Sequence, residues 1–178
     1  MKSKFITISA LSSGLIAIVL TLGAYFSFAS LVALALSSIF ITLPLYYNSY
    51  KGALLCYGVG GVIAFLFTGF NYLSIVFPTY FLFFGIFPIF YLFMKSKSVN
   101  KILVSILGVV WCLILFYGGY YYYTLALNGT IIFKYDFINQ LINLFLGLAG
   151  FVFYFFYTAY LTTFKKVIDG YLDRVIKK

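Results

Sequence analysis

From residue 6 to residue 47 the chain runs 42 residues without a charged side chain. As one helix that stretch would be about 63 Å long at about 1.5 Å per residue. The hydrocarbon core of a bilayer is only about 30 Å thick, so the run predicts two crossings, turning near residues 23–30 and leaving at Pro44. The remaining charge-free runs predict four more, over about residues 52–68, 72–94, 102–125 and 137–164. Pro78 and Pro88 fall inside the fourth and predict a kinked, buried helix, because neighbouring helices must satisfy the carbonyls that proline frees. With 65% hydrophobic and 8% charged residues, the chain cannot clothe a water-exposed surface, where about a quarter would be charged. The predicted fold is therefore all-α, an integral membrane bundle of six transmembrane helices spanning residues 1–164. Residues 165–178 follow as a basic cytoplasmic tail.

The cations set the expected orientation. Six crossings put Lys2, Lys4, Lys51, Lys95, Lys97, Lys101, Lys165, Lys166, Arg174, Lys177 and Lys178 on one side and Lys134 alone on the other. Eleven against one is the bias of the positive-inside rule, with both ends in the cytoplasm (N-in/C-in). Lys2 and Lys4 before an apolar run also resemble a secretory signal, but no small-x-small cleavage site followed by a polar start appears, so an uncleaved first helix is expected. In the tail, Phe164, Ile168, Leu172 and Val175 form one stripe, widened by Val167, Tyr171 and Ile176. This predicts a C-terminal amphipathic helix on the membrane surface. The net charge of +9 is directed at anionic inner-leaflet lipid, with no nucleic acid as partner, because the cations sit between apolar runs.

What is missing limits the chemistry. There is no histidine or glutamate, and the acids are Asp136, Asp169 and Asp173. No base stands ready to activate a serine or cysteine, and no carboxylate or metal site is built into a membrane run. An enzyme is not expected, nor a metal site, nor a cofactor. Cys56 and Cys112 read as small apolar core residues, too far apart in depth to form a disulfide. Asn128-Gly129-Thr130 matches a glycosylation sequon, which a plain loop turn explains in a bacterial protein.

Small residues mark the candidate interfaces. The third crossing carries Gly52, Cys56, Gly60, Ala64 and Thr68 four apart, a face expected to pack within the chain. The first carries Ser9, Ser13, Ala17 and Thr21, with Ala10 and Gly14 beside them. For Ala10, Ser13, Gly14 and Ala17 a partner protein competes seriously with internal packing. On the sixth crossing Asp136, Gln140, Asn143, Gly147, Gly150 and Tyr154 alternate in steps of four and three, one stripe of a helix. The stripe and neighbouring Asn139 describe two alternatives, a ligand pocket closed below by Gly147 and Gly150, or interhelical hydrogen bonding. Asn143, the deepest amide, is the strongest candidate ligand contact. Tyr117 and Tyr121, one turn apart on the fifth crossing, would line the same cavity or belong to an aromatic belt.

Ala10-Leu-Ser-Ser-Gly14 is similar to the Ala-x-x-x-Ala face of the substrate-binding S component of energy-coupling-factor (ECF) uptake transporters, with glycine for the second alanine. Leu43-Pro44-Leu45 through Lys51-Gly52, and Phe83-Phe84-Gly85-Ile86-Phe87-Pro88-Ile89, also resemble a group of small uncharacterised membrane proteins of clostridia and relatives. The resemblance covers residues 9–125. It implies a multi-pass protein of the bacterial plasma membrane that captures a small-molecule ligand outside. A transmembrane coupling subunit and ABC-type ATPases would be its partners. This chain departs from the pattern in its outer half, which offers only amides, tyrosines, Asp136 and Lys134. A weakly polar ligand, or none, is what that half accommodates. The alternative reading is a non-catalytic envelope assembly or scaffold protein, resembling rod-shape-determining membrane proteins of the MreD type.

Overall fold

The computed structural model describes residues 2–46, 49–70, 74–126 and 136–176. Among them there is helix and no strand. The helices are α1 (Lys2–Tyr25), α2 (Ser30–Tyr46), α3 (Tyr50–Phe67), α4 (Val76–Thr79), α5 (Ile86–Ser96), α6 (Lys101–Ala126) and α7 (Asp136–Ile176). A 3₁₀ turn, Ser27–Ala29, joins α1 to α2, and a π-helical segment, Tyr80–Phe84, joins α4 to α5. Among the described residues, six helical spans are long and apolar enough to cross a membrane: Ile6–Tyr25, Ser27–Leu45, Tyr50–Phe67, Val76–Ser96, Lys101–Tyr122 and Leu141–Tyr171. That fits a multi-pass membrane protein.

The chain divides into two compact units, Met1–Lys97 with Tyr160–Lys178, and Ser98–Ala159. In the first unit α1 packs on both α2 and α3. Ser9 of α1 lies at Gly52 of α3, and Ser13 and Ile16 lie at Gly60. The Tyr25 hydroxyl donates to the Phe67 carbonyl at the far end, so α1 and α3 run parallel. α2 turns back beside them, with Ala33 against Gly23. The fourth span runs antiparallel to α3: Phe65 meets Phe77, Tyr57 meets Phe81, and Tyr50 meets Phe93.

Local chemistry explains the joints. The Ser49 side chain caps α3 by accepting from the Gly52 N–H at 3.2 Å, satisfying one donor that a helix start leaves open. At its other end Gly69 takes φ +64°, a left-handed conformation that glycine adopts without steric cost. Phe70 follows at φ +60°, and its ring rests edge-on against Phe65. Pro44 lies inside α2 rather than at its exit. Its ring is buried, and so near the helix end the lost N–H interrupts only the last turn.

Between Pro78 and Pro88, where the sequence predicts a kink, the helix passes through the π segment. The Gly85 N–H reaches back five residues to the Tyr80 carbonyl at 2.8 Å, so it does not serve Phe81, its ordinary acceptor in an α-helix. The Tyr57 hydroxyl donates to the Phe81 carbonyl instead, at 2.9 Å. Pro88 has no N–H for the carbonyl four residues before it, Phe84, and the Ser38 hydroxyl of α2 donates there at 2.9 Å. The Tyr80 hydroxyl in turn donates to the Tyr57 carbonyl at 3.0 Å. In an apolar surround an unmatched carbonyl costs several kcal/mol. The neighbouring hydroxyls supply what the irregular backbone lacks.

The second unit is a helical hairpin of α6 and the first part of α7. Gly108 faces the Tyr154 ring, and Gly150 faces Leu113 and Cys112. Phe116 meets Phe153 edge-on at 5.6 Å, and Phe153 stacks on Tyr157 at 5.7 Å. The two helices therefore run antiparallel. α7 has no break at residues 164–165, where the sequence divides crossing from tail; it continues to Ile176. Between Phe151 and Asp169 there is neither proline nor glycine to end it. Its 41 residues span about 62 Å.

Candidate functional site

One face of α7 and Tyr117 of α6 meet inside the second unit. Spacings of three and four residues keep Asn143, Gly147, Gly150 and Tyr154 on one helix face, and the lower part of that face lies on α6. Tyr154 fills the space at Gly108, and Leu113 lies at Gly150. The Tyr117 hydroxyl reaches over Gly147, 3.6 Å from where a Cβ there would stand. It donates to the Asn143 backbone carbonyl at 2.9 Å. Gly147 and Gly150 thus admit a tyrosine and a leucine between the helices.

Asn143 is exposed, about two turns from the start of α7. Tyr121, one turn above Tyr117, is 57% exposed, and its ring meets Tyr120 edge-on. Gly118 and Gly119 beside it have open space where a Cβ would be. The structure brings Tyr117 to the Asn143 backbone and leaves Tyr121 on the surface. Asp136, Asn139 and Gln140 belong to the first turns of α7, with side chains outside the described residues, as are Lys134 and the whole Asn128-Gly129-Thr130 segment. What is described at this end includes one carboxamide and the accessible rings and hydroxyls of Tyr121 and Tyr122. These groups can stack on a planar molecule and exchange one or two hydrogen bonds with it.

The small residues of α1 divide between two faces. Ser13 and Ala17 are buried toward α3, and the Ser13 hydroxyl donates to the Ser9 carbonyl at 2.8 Å. Ala10 and Gly14 are exposed, with nothing within 4 Å of a Cβ built at Gly14. On α3 the faces are not divided: Gly52, Cys56, Gly60 and Ala64 are all buried, and both cysteines are free.

Sequence reasoning passed over the hydroxyl clamp on the π segment. Pro88 announced that the Phe84 carbonyl would be freed, but nothing in the sequence marked the π turn that opens the Phe81 carbonyl, and the donors, Tyr57 and Ser38, stand on other helices. It also passed over Gly61, which receives the edges of Tyr80 and Phe81, and Tyr160, whose hydroxyl donates to the Ala35 carbonyl.

No family model, no curated protein and no solved structure matches this chain.

Proposed function

We propose that the chain is a solute-binding membrane subunit of an uptake transporter, held N-in/C-in in the bacterial plasma membrane and energised by a partner ATPase complex. It performs no catalysis itself. The observation that carries this reading is the divided face of α1. Its buried half already packs on α3, while Ala10 and Gly14 remain outward with open space above them. Small residues four apart on a lipid-facing surface allow a second helix to approach closely, which is what docking a coupling subunit requires. The exposed Asn143 amide and Tyr121 ring of the second unit support solute capture. The orientation is supported by the parallel course of α1 and α3, which brings the first turns of both, with Lys51, to the end where α5 finishes in Lys95.

A second reading, a non-catalytic envelope scaffold, is favoured by the surface of the second unit. Phe145 and Phe156 are 72% and 74% exposed, a broad apolar face suited to partner helices as well as to lipid. Gentle purification separates the two. Coupling subunits or a stoichiometric small molecule support uptake; cell-wall or division proteins support the scaffold. Gly14→Leu is expected to release the coupling subunit and leave solute binding by the isolated chain intact; undiminished co-purification removes this docking face. Asn143→Leu is expected to abolish solute capture at near-normal expression, and unchanged uptake removes the site.

A further inference from the structure

The first unit gathers lysines and aromatic rings at one end, and the geometry points to a binding site for an anionic phospholipid. The site lies where the first turn of α3 meets the last turn of α5, and its cations are Lys51, Lys95 and Lys97. The Tyr50 hydroxyl donates to Ser96 Oγ at 2.8 Å, and the Tyr50 ring meets Phe93 edge-on at 5.3 Å. Lys51 follows Tyr50 in sequence, and Lys95 and Lys97 flank Ser96, so this one contact fixes the backbone beneath all three. Lys95 Nζ lies 5.9 Å from the Tyr91 ring centre and Lys97 Nζ lies 6.0 Å from that of Phe93, within the range of cation–π attraction. All three lysines are exposed.

Two arguments call for an anion from outside the chain. Twelve cations face three carboxylates in the whole sequence, so internal pairing can neutralise a quarter of them at most. Lys51 also stands in the first turn of α3, the end of a helix whose dipole disfavours a cation. A bound phosphate relieves that repulsion and matches the ammonium groups.

The surface below the cations selects a lipid over a soluble anion. Leu54 and Leu55 follow Lys51 by three and four residues, on its face of the helix, and are 49% and 63% exposed. A charged head above an apolar strip has the outline of a phospholipid, with phosphate at the lysines and an acyl chain along the leucines. This site rests on the membrane-spanning helices and stands whether or not the chain carries a solute.

The test uses the purified full chain in detergent micelles containing phosphatidylglycerol, phosphatidylcholine or inorganic phosphate. Lipid retained per protein is counted by native mass spectrometry. Phosphatidylglycerol is expected to be retained and phosphatidylcholine lost, with inorganic phosphate unable to displace the lipid. Lys51→Gln/Lys97→Gln should weaken retention at least about tenfold, from roughly fivefold per lysine, while Lys177→Gln/Lys178→Gln, with equal loss of charge, leaves it intact. Leu55→Gln, which keeps every cation, should weaken it about threefold from the lost apolar contact. Equal retention of both lipids, displacement by phosphate, equal loss in the two lysine pairs, or an unaffected Leu55→Gln each overturns the assignment.

Discussion

Glycines at Gly60 and Gly61 in the first unit and at Gly108 and Gly150 in the second admit a neighbouring helix, yet the two regions place their polar groups differently. In the first unit, hydroxyls are buried beside the close contacts. Ser37 and Ser38 donate to the Leu34 carbonyl, Thr42 to that of Ile39, and Tyr57 and Ser38 complete the π segment. In the second, Gly108 and Gly150 meet a ring and an aliphatic side chain, the Tyr117 hydroxyl lies over Gly147, the buried Thr158 bonds within its own helix, and Tyr121 and Asn143 reach the surface. The hydroxyls of Tyr57 and Ser38 complete an irregular stretch of backbone. Exposed ones remain available to another molecule.

Five substitutions probe that difference, with Gly118→Leu as the near-neutral counterpart of the first and the others taken from the largest effect down. Gly60→Leu drives a side chain into Ile16 and the Ser13 carbonyl and should destabilise the fold by about 3 kcal/mol. Gly118→Leu in the second unit, where space is open, should change stability by less than about 0.5 kcal/mol. Equilibrium unfolding in mixed detergent measures both, and equal losses would erase the contrast. Gly108→Leu collides with Tyr154 and should lose about 2 kcal/mol. Adding Tyr154→Ala should recover part of that loss in a double-mutant cycle; strict additivity would mean the ring does not occupy the glycine's space.

Tyr57→Phe removes the donor to the Phe81 carbonyl and should lose about 1 kcal/mol. Hydrogen exchange at the Gly85 N–H should quicken with it; unchanged exchange would detach the tyrosine from the π segment. Apart from the near-neutral Gly118→Leu, the smallest effect is assigned to Tyr117→Phe, about 0.6 kcal/mol, because it deletes one hydrogen bond at the margin of the hairpin. A loss as large as that of Tyr57→Phe would show that the outer end of the second unit is as tightly specified as the π segment.

Much of this is legible in residue order. The lysines at 51, 95 and 101 delimit runs long enough to cross a bilayer, and the bounds of α3 and α6 follow those runs to within two residues. The four-residue spacing from Gly52 to Ala64 announced a close contact, since backbone approach requires small side chains at helical period. The sequence did not reveal which of two adjacent small faces on α1 would be covered, because Ser13 with Ala17 and Ala10 with Gly14 satisfy the same spacing. Nor did it show that Asn143 would turn outward while its carbonyl received the Tyr117 hydroxyl.

Sequence alone determined that apolar helices of bilayer length follow one another, because charge is excluded from such runs whatever surrounds them. Tertiary structure decided where each hydroxyl went. Ser38 and Tyr57 have many acceptors within reach of an unfolded chain, and only the packing of α2 and α3 against the fourth span sets them beside carbonyls that a proline and a π turn had left open.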